Sequence, residues 1–199
     1  MSTGFSSKDR RTRRTRKLLY DGLITLMQQK PLQQISVQEL TQLCDLNRST
    51  FYLHYSSIQH LLSEMEQEML AGLEQVLDQF EEEKINLYAT PFVGDGAMTQ
   101  AFEFLSQNRE FCSILLGHGG DEQFICKVME LVRDRCLGIW TNALQHQPQY
   151  LASYFLTFVL SGCLAVVEQW LKTGMKEPPE QVAQMVNRFI LTGASSFIQ

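Results

Sequence analysis

Paired cysteines, prolines, glycines and long apolar runs are all scarce in this chain, and each shortage excludes a class of protein. The five cysteines (Cys44, Cys112, Cys126, Cys136, Cys163) are odd in number and contain no C-x-x-C pair. That pattern argues against a disulfide framework and a zinc site, and predicts reduced, mostly buried thiols and no bound metal. Five prolines and twelve glycines in 199 residues exclude collagen-like and low-complexity architectures. No G-x-S-x-G, H-E-x-x-H, P-loop or dinucleotide-binding glycine pattern is present, so no enzyme activity and no cofactor are expected. Cys112 and His118 are close in sequence, but a nucleophile also needs a positioned base, and no orienting group accompanies them.

The longest apolar run, FLTFVLSGCLAVV (155–167), is followed by Glu168 and is shorter than the ~20 residues of a spanning helix. A buried helix is the expectation, with no membrane partner. The N-terminal stretch MSTGFSSKDRRTRR has no apolar segment behind its charges, which predicts no secretory signal and a cytoplasmic protein.

What is present is apolar content, at 44% hydrophobic, and a lopsided charge. Residues 1–54 hold nine Lys/Arg against four acids, a net +5; the rest hold eight against eighteen, a net −10. Such a split points to a polyanion at one end and a different partner at the other.

Apolar spacing of three and four residues predicts helices throughout, and no alternating strand pattern appears. Leu19, Leu23, Leu26 and Met27 give a stripe over 16–29. Ser36-Val37-Gln38-Glu39 has the form of a capping box and starts a short helix that ends near Cys44-Asp45. Asn47 is a good N-cap for a second short helix. Ser56-Ser57, with Gln59 in the capping-box position, opens a long helix over 57–84. Further helices are expected at 97–107, 109–116, 122–146, 150–173 and 179–197, with Asp121 capping one and Pro178-Pro179 starting the last. The fold class is all-α.

Two short helices around a tight turn make a helix-turn-helix. On the second, DLNRSTFYLHYSS (45–57), a rotation of 100° per residue puts Phe51 and Tyr55 on one side to anchor it. Ser49, Thr50 and Leu53 fall opposite, where small side chains let a helix approach a major groove. Tyr52 and His54, on the flanks, suit phosphate oxygens. Arg48 reaches either a guanine edge or a phosphate. The candidate DNA contacts are Ser36, Asn47, Arg48, Ser49, Thr50, Tyr52, Leu53 and His54, with Arg13 and Arg14 from the basic segment KDRRTRRTRK (8–17).

The stretch ISVQELTQLCDLNRSTFYLHYSSIQHLL (35–62) resembles the DNA-binding motif of the tetracycline-repressor (TetR) family, with Thr50, Tyr52, His54 and Tyr55 at matching positions. FLSQNREFCSILLGHGGDEQFICKV (104–128) is similar to a C-terminal type found in regulators like the dihydroxyacetone-kinase regulator. One departure stands out: Ile58 occupies a position where the family usually has a phosphate-holding Lys. Losing one such contact flattens the salt dependence of DNA binding by roughly one charge.

The resemblance implies a flexible basic arm (1–15), a helix-turn-helix domain (16–56, motif about 35–54) and a helical effector-binding and dimerisation domain (57–199). It implies a homodimeric, ligand-responsive repressor on a near-palindromic double-stranded operator, released by an unknown small-molecule effector, with helix 57–84 as the lever. Pocket candidates are Phe80, Phe102, Phe111, Phe124, Trp140 and Phe158. Dimer-interface candidates are Leu160, Leu164, Val167, Val182, Met185 and Phe189. The competing expectation is a coactivator of the same fold that binds another regulator or an enzyme subunit instead of DNA.

Overall fold

The computed structural model describes residues 7–82, 95–116, 121–143 and 147–196. The described residues are all-α: α1 (Ser7–Met27), α2 (Val37–Leu43), α3 (Arg48–Tyr52), α4 (Ile58–Glu82), α5 (Asp95–Gln107), α6 (Arg109–Leu115), α7 (Glu122–Ala143), α8 (Gln149–Lys172) and α9 (Pro179–Ser195). A 3₁₀ turn, Leu32–Gln34, follows Pro31. The chain divides into two compact units, Met1–Glu68 and Met69–Gln199.

In the first unit the core face of α1 carries Thr15, Leu19, Leu23 and Leu26, all buried. Helix α1 begins at Ser7, not at residue 16, so the basic segment expected as an arm is wound into it. The physical reason is simple: residues 7–21 hold no Gly or Pro, and Arg and Lys are good helix formers. Gly22 is where α1 meets the end of α2. A Cβ there would come within 2.5 Å of Cys44 Sγ and 3.0 Å of a Leu40 methyl. The same thiol donates to the Leu18 carbonyl (3.1 Å).

Ser36 caps α2, its hydroxyl accepting from the Glu39 amide (3.2 Å). The Glu39 carboxylate binds Lys30 Nζ (2.6 Å to both oxygens), tying α2 to the end of α1. The turn to α3 passes through Asp45 at φ 51°, a conformation that Asp tolerates better than most residues. It closes with the Leu46 amide on the Thr41 carbonyl (2.9 Å).

A five-residue helix such as α3 has no independent stability. Phe51 (0% exposed) and Tyr55 (3%) hold it on the core, and burying a side chain of Phe51's size contributes roughly 2–3 kcal/mol. Asn47 occupies the N-cap position through its carbonyl alone, accepting from the Thr50 amide (2.9 Å), with no hydrogen bond from its side chain. The start of α4 also differs from expectation. Ser57 Oγ caps the His60 amide (3.1 Å), and His60 Nδ1, not Gln59, accepts the Ser56 amide (3.1 Å).

In the second unit α5 packs along α9 and α7 along α8, with α6 against α8. Gly72 of α4 admits the Phe104 ring, which would lie 2.6 Å from an added Cβ. Asp121 caps α7 by accepting from Gln123 N (2.8 Å) and Phe124 N (3.0 Å). By length and composition alone α8 is long and apolar enough to cross a membrane, beyond what the 155–167 run suggested. Its apolar residues divide instead between two faces. Phe155, Leu156, Val159 and Leu160 are buried, whereas Tyr150, Tyr154 and Phe158 are exposed.

Candidate nucleic-acid interface and ligand cavity

On α3 the helical rotation separates anchors from contacts. Asn47, Arg48, Ser49, Tyr52 and Leu53 are exposed, and Thr50 and His54 are half-buried. Leu53, at 81% exposed, is the most solvent-facing large apolar side chain of the first unit. An apolar residue held out in water has no folding role at that place and suits an apolar contact such as a thymine methyl. Tyr52 meets the Phe51 ring edge-on (5.5 Å), which leaves its hydroxyl outward. Ser36 is exposed at the start of α2; its oxygen serves the cap and its own O–H remains a donor. Arg13 and Arg14 are exposed on α1, as are Arg10, Arg11 and Lys17. Ile58 is buried at 4%. The side chain at that position therefore serves the core.

Arg16 was counted only as one charge of the basic segment, yet it joins three elements. Its Nε donates to Tyr55 Oη (3.1 Å) and its Nη2 to Tyr20 Oη (3.0 Å). The same nitrogen pairs with Glu68 and lies 3.8 Å from Glu64 Oε2 on α4. The Tyr20 hydrogen bond leads in raising the guanidinium's pKa further, against the opposing effect of burial. Tyr20 itself is pushed up, chiefly by burial. The signal in the sequence was the spacing of four from Arg16 to Tyr20, one helical turn, but nothing local pointed to Tyr55 or Glu68.

The second unit holds a cavity of about 190 Å³ whose lining is almost wholly apolar. Helices α4, α5, α7, α8 and α9 all contribute, through residues such as Leu77, Phe102, Val132, Leu156 and Ile190. Packing helices around an opening instead of closing it forgoes apolar contacts along its lining. Stability alone gives no reason to keep it.

Of the aromatic residues expected there, Phe102 and Trp140 line it. Phe111 and Phe124 are buried but are not among its lining, and Phe158 is 76% exposed. The side chain of Phe80 lies outside the described residues. Leu160, Leu164 and Val167, expected toward a second copy, line the cavity instead, and Val182 is buried in its own unit. Met185 and Phe189 are exposed, at 42% and 63%. The cause of the exchange is that α8 is apolar nearly all round, so periodicity cannot say which face turns inward.

Arg135 of α7 grips the α4 side of this unit, binding Asp78 (2.6 Å) and Glu74. Two thiols line the cavity, Cys136 and Cys163. Burial pushes the Cys163 thiol up to about 11 and the Cys112 thiol, on α6, up to about 12; both stay protonated at neutral pH.

A short helix bearing outward polar groups, set after a capped helix and a tight turn, defines a helix-turn-helix protein with a separate all-α unit. Residues 95–192 match the family model described as the transcriptional regulator C-terminal region of the TetR type. The C-terminal region of the chain is therefore of the TetR transcriptional-regulator type. Among solved structures it is similar to the dihydroxyacetone kinase operon activator DhaS (19% identity, TM-score 0.62, covering 92% of this chain and 97% of that one). It is similar also to the fatty acid degradation regulator FadR from Bacillus halodurans (13%, 0.65, 89% and 95%). A third is FadR from Bacillus subtilis in complex with stearoyl-CoA (14%, 0.63, 89% and 98%). At these identities the likeness is one of fold. No curated protein matches the sequence.

Proposed function

We propose that the chain is a cytoplasmic, homodimeric DNA-binding regulator, a repressor released from a near-palindromic operator when a small molecule occupies the second unit. It has no catalytic role. The observation that carries this reading is the α3 surface. Phe51 and Tyr55 are spent on the core while Arg48, Ser49, Tyr52 and the apolar Leu53 are held in solvent. The division of labour matches a groove-reading helix: Ser49, Thr50 and Leu53 meet base edges, and Tyr52, His54, Arg13 and Arg14 hold phosphates.

A second copy would set two such helices about 34–36 Å apart, one turn of DNA. The exposed Tyr150, Tyr154 and Phe158 of α8, with Met185 and Phe189 of α9, supply an apolar surface for that pairing. Release needs only that the effector bind the two dimer geometries with different affinity. Helix α4 is the candidate lever, since Ile58–Glu68 counts with the first unit and the remainder with the second.

The test is fluorescence anisotropy of the full chain on the duplex upstream of its own coding region, beside a scrambled duplex, at two salt concentrations. A preference of ~10³ or more that weakens with salt is the expected result. Equal, weak binding to both duplexes, unchanged by Arg48→Ala, would replace it with the coactivator reading.

A further inference from the structure

The cavity specifies the chemistry of its occupant more closely than the fold does. Among the described residues its lining contains no Lys, Arg, His, Asp or Glu. Arg135, adjacent in sequence to the lining residue Cys136, is engaged by Glu74 and Asp78. A carboxylate, phosphate or ammonium group carried inside would lose its water with no opposite charge to meet, a cost that binding rarely recovers. A polyol would leave several hydroxyls without partners.

The polar exceptions are few. Asn187 of α9, 7% exposed, is the one side-chain amide among the described lining residues. An amide has several donor and acceptor positions, so it can serve a ligand group besides its own protein partner. Cys163 stays an uncharged thiol at neutral pH because burial raises its pKa to about 11. Met98 and Met129 contribute flexible thioethers that adapt to an occupant's shape. By volume, about 190 Å³ accommodates roughly six to eight non-hydrogen atoms, since an apolar cavity of about 150 Å³ takes up benzene.

We propose that this cavity binds a small uncharged hydrocarbon ligand, alkyl or aryl, bearing at most one neutral polar group, which meets Asn187. It rests on taking the second unit as the effector-binding one, and it excludes polyols, phosphorylated metabolites and fully buried carboxylates as occupants. Trp140, whose ring lines the cavity and packs edge-on to Phe155 (4.9 Å), is the reporter.

The experiment titrates the full chain, without DNA, with 1-hexanol, ethylbenzene, hexanoate at pH 8 and glycerol, following tryptophan fluorescence and thermal unfolding. The expected result is saturable binding of 1-hexanol or ethylbenzene, or both, with a rise in Tm, and at least about tenfold weaker binding of hexanoate. Which of the two neutral probes binds better tells chain from ring. Ala101→Phe, which fills the cavity from α5, should abolish the response; Cys163→Met is the gentler filling variant if that protein does not fold. Hexanoate binding as tightly as 1-hexanol, saturable glycerol binding, no response to either neutral probe, or a response untouched by both fillings would overturn the proposal. Because no DNA is present, failure of the DNA reading leaves this result standing, and the reverse holds as well.

Discussion

Thr50 and Tyr52 are two residues apart on one short helix, yet the proposed function gives them different work. Thr50 is half-buried near the helix start, where a hydroxyl can come close to a base edge; Tyr52 stands out at 53% exposure. Thr50→Ala is expected to relax preference at one base pair of the operator, by about 1–3 kcal/mol. Tyr52→Phe should weaken binding by roughly 1 kcal/mol, about evenly across operator variants. Anisotropy titrations against a set of single-base operator variants separate the two. A Thr50→Ala effect spread evenly over all variants would remove Thr50 from base reading. Neither change should move the unfolding temperature much, because neither side chain fills the core.

Between elements, α1 lies close on the end of α2 at Gly22. Replacing a helical Gly by Ala ordinarily gains up to about 1 kcal/mol. Here the new methyl would meet Cys44 Sγ at 2.5 Å, and overpacking of this kind costs typically 1–3 kcal/mol. Gly22→Ala should therefore lower stability in urea unfolding, while the double variant Gly22→Ala/Cys44→Ala should recover much of the loss. A stabilised single variant would show that the helices have room to part.

Most element positions were legible in the sequence, because capping residues and three-four spacing act locally. Ser36, Asp121 and Pro178-Pro179 all sit at helix starts, and α5 to α9 begin and end within a few residues of expectation. What could not be read is contact between distant segments. Arg16 binding Tyr55 and Glu68, Lys30 binding Glu39 and the choice of inward face on α8 depend on tertiary packing, which periodicity does not encode. The same limit explains the pocket expectations. Phe102 and Trp140, expected by residue type, line the cavity, and so do Leu160, Leu164 and Val167, which periodicity placed on the other face of a helix with two apolar faces.

At the scale of the whole molecule, the exposed aromatic faces of α8 and α9 are the feature a lone copy least accounts for. Phe158→Glu combined with Phe189→Glu should shift sedimentation from dimer to monomer and weaken operator binding. Folding should be little affected, since both side chains already face solvent. A dimer that survives both changes would place the pairing surface elsewhere.

The winding of α1 from Ser7 bears on how the protein meets its polyanion. Fixing one backbone residue costs about 1–2 kcal/mol of chain freedom, so docking a loose segment spanning 7–15 would forfeit on the order of 10 kcal/mol at the moment of contact. In a chain whose Arg10, Arg11, Arg13 and Arg14 already sit on a helix, that entropy is lost on folding, and only side-chain rotamers remain to be fixed. On the proposed DNA-binding reading, capture is rigid-body docking of a preorganised cationic rod, with no disorder-to-order transition of that segment in the heat capacity of binding.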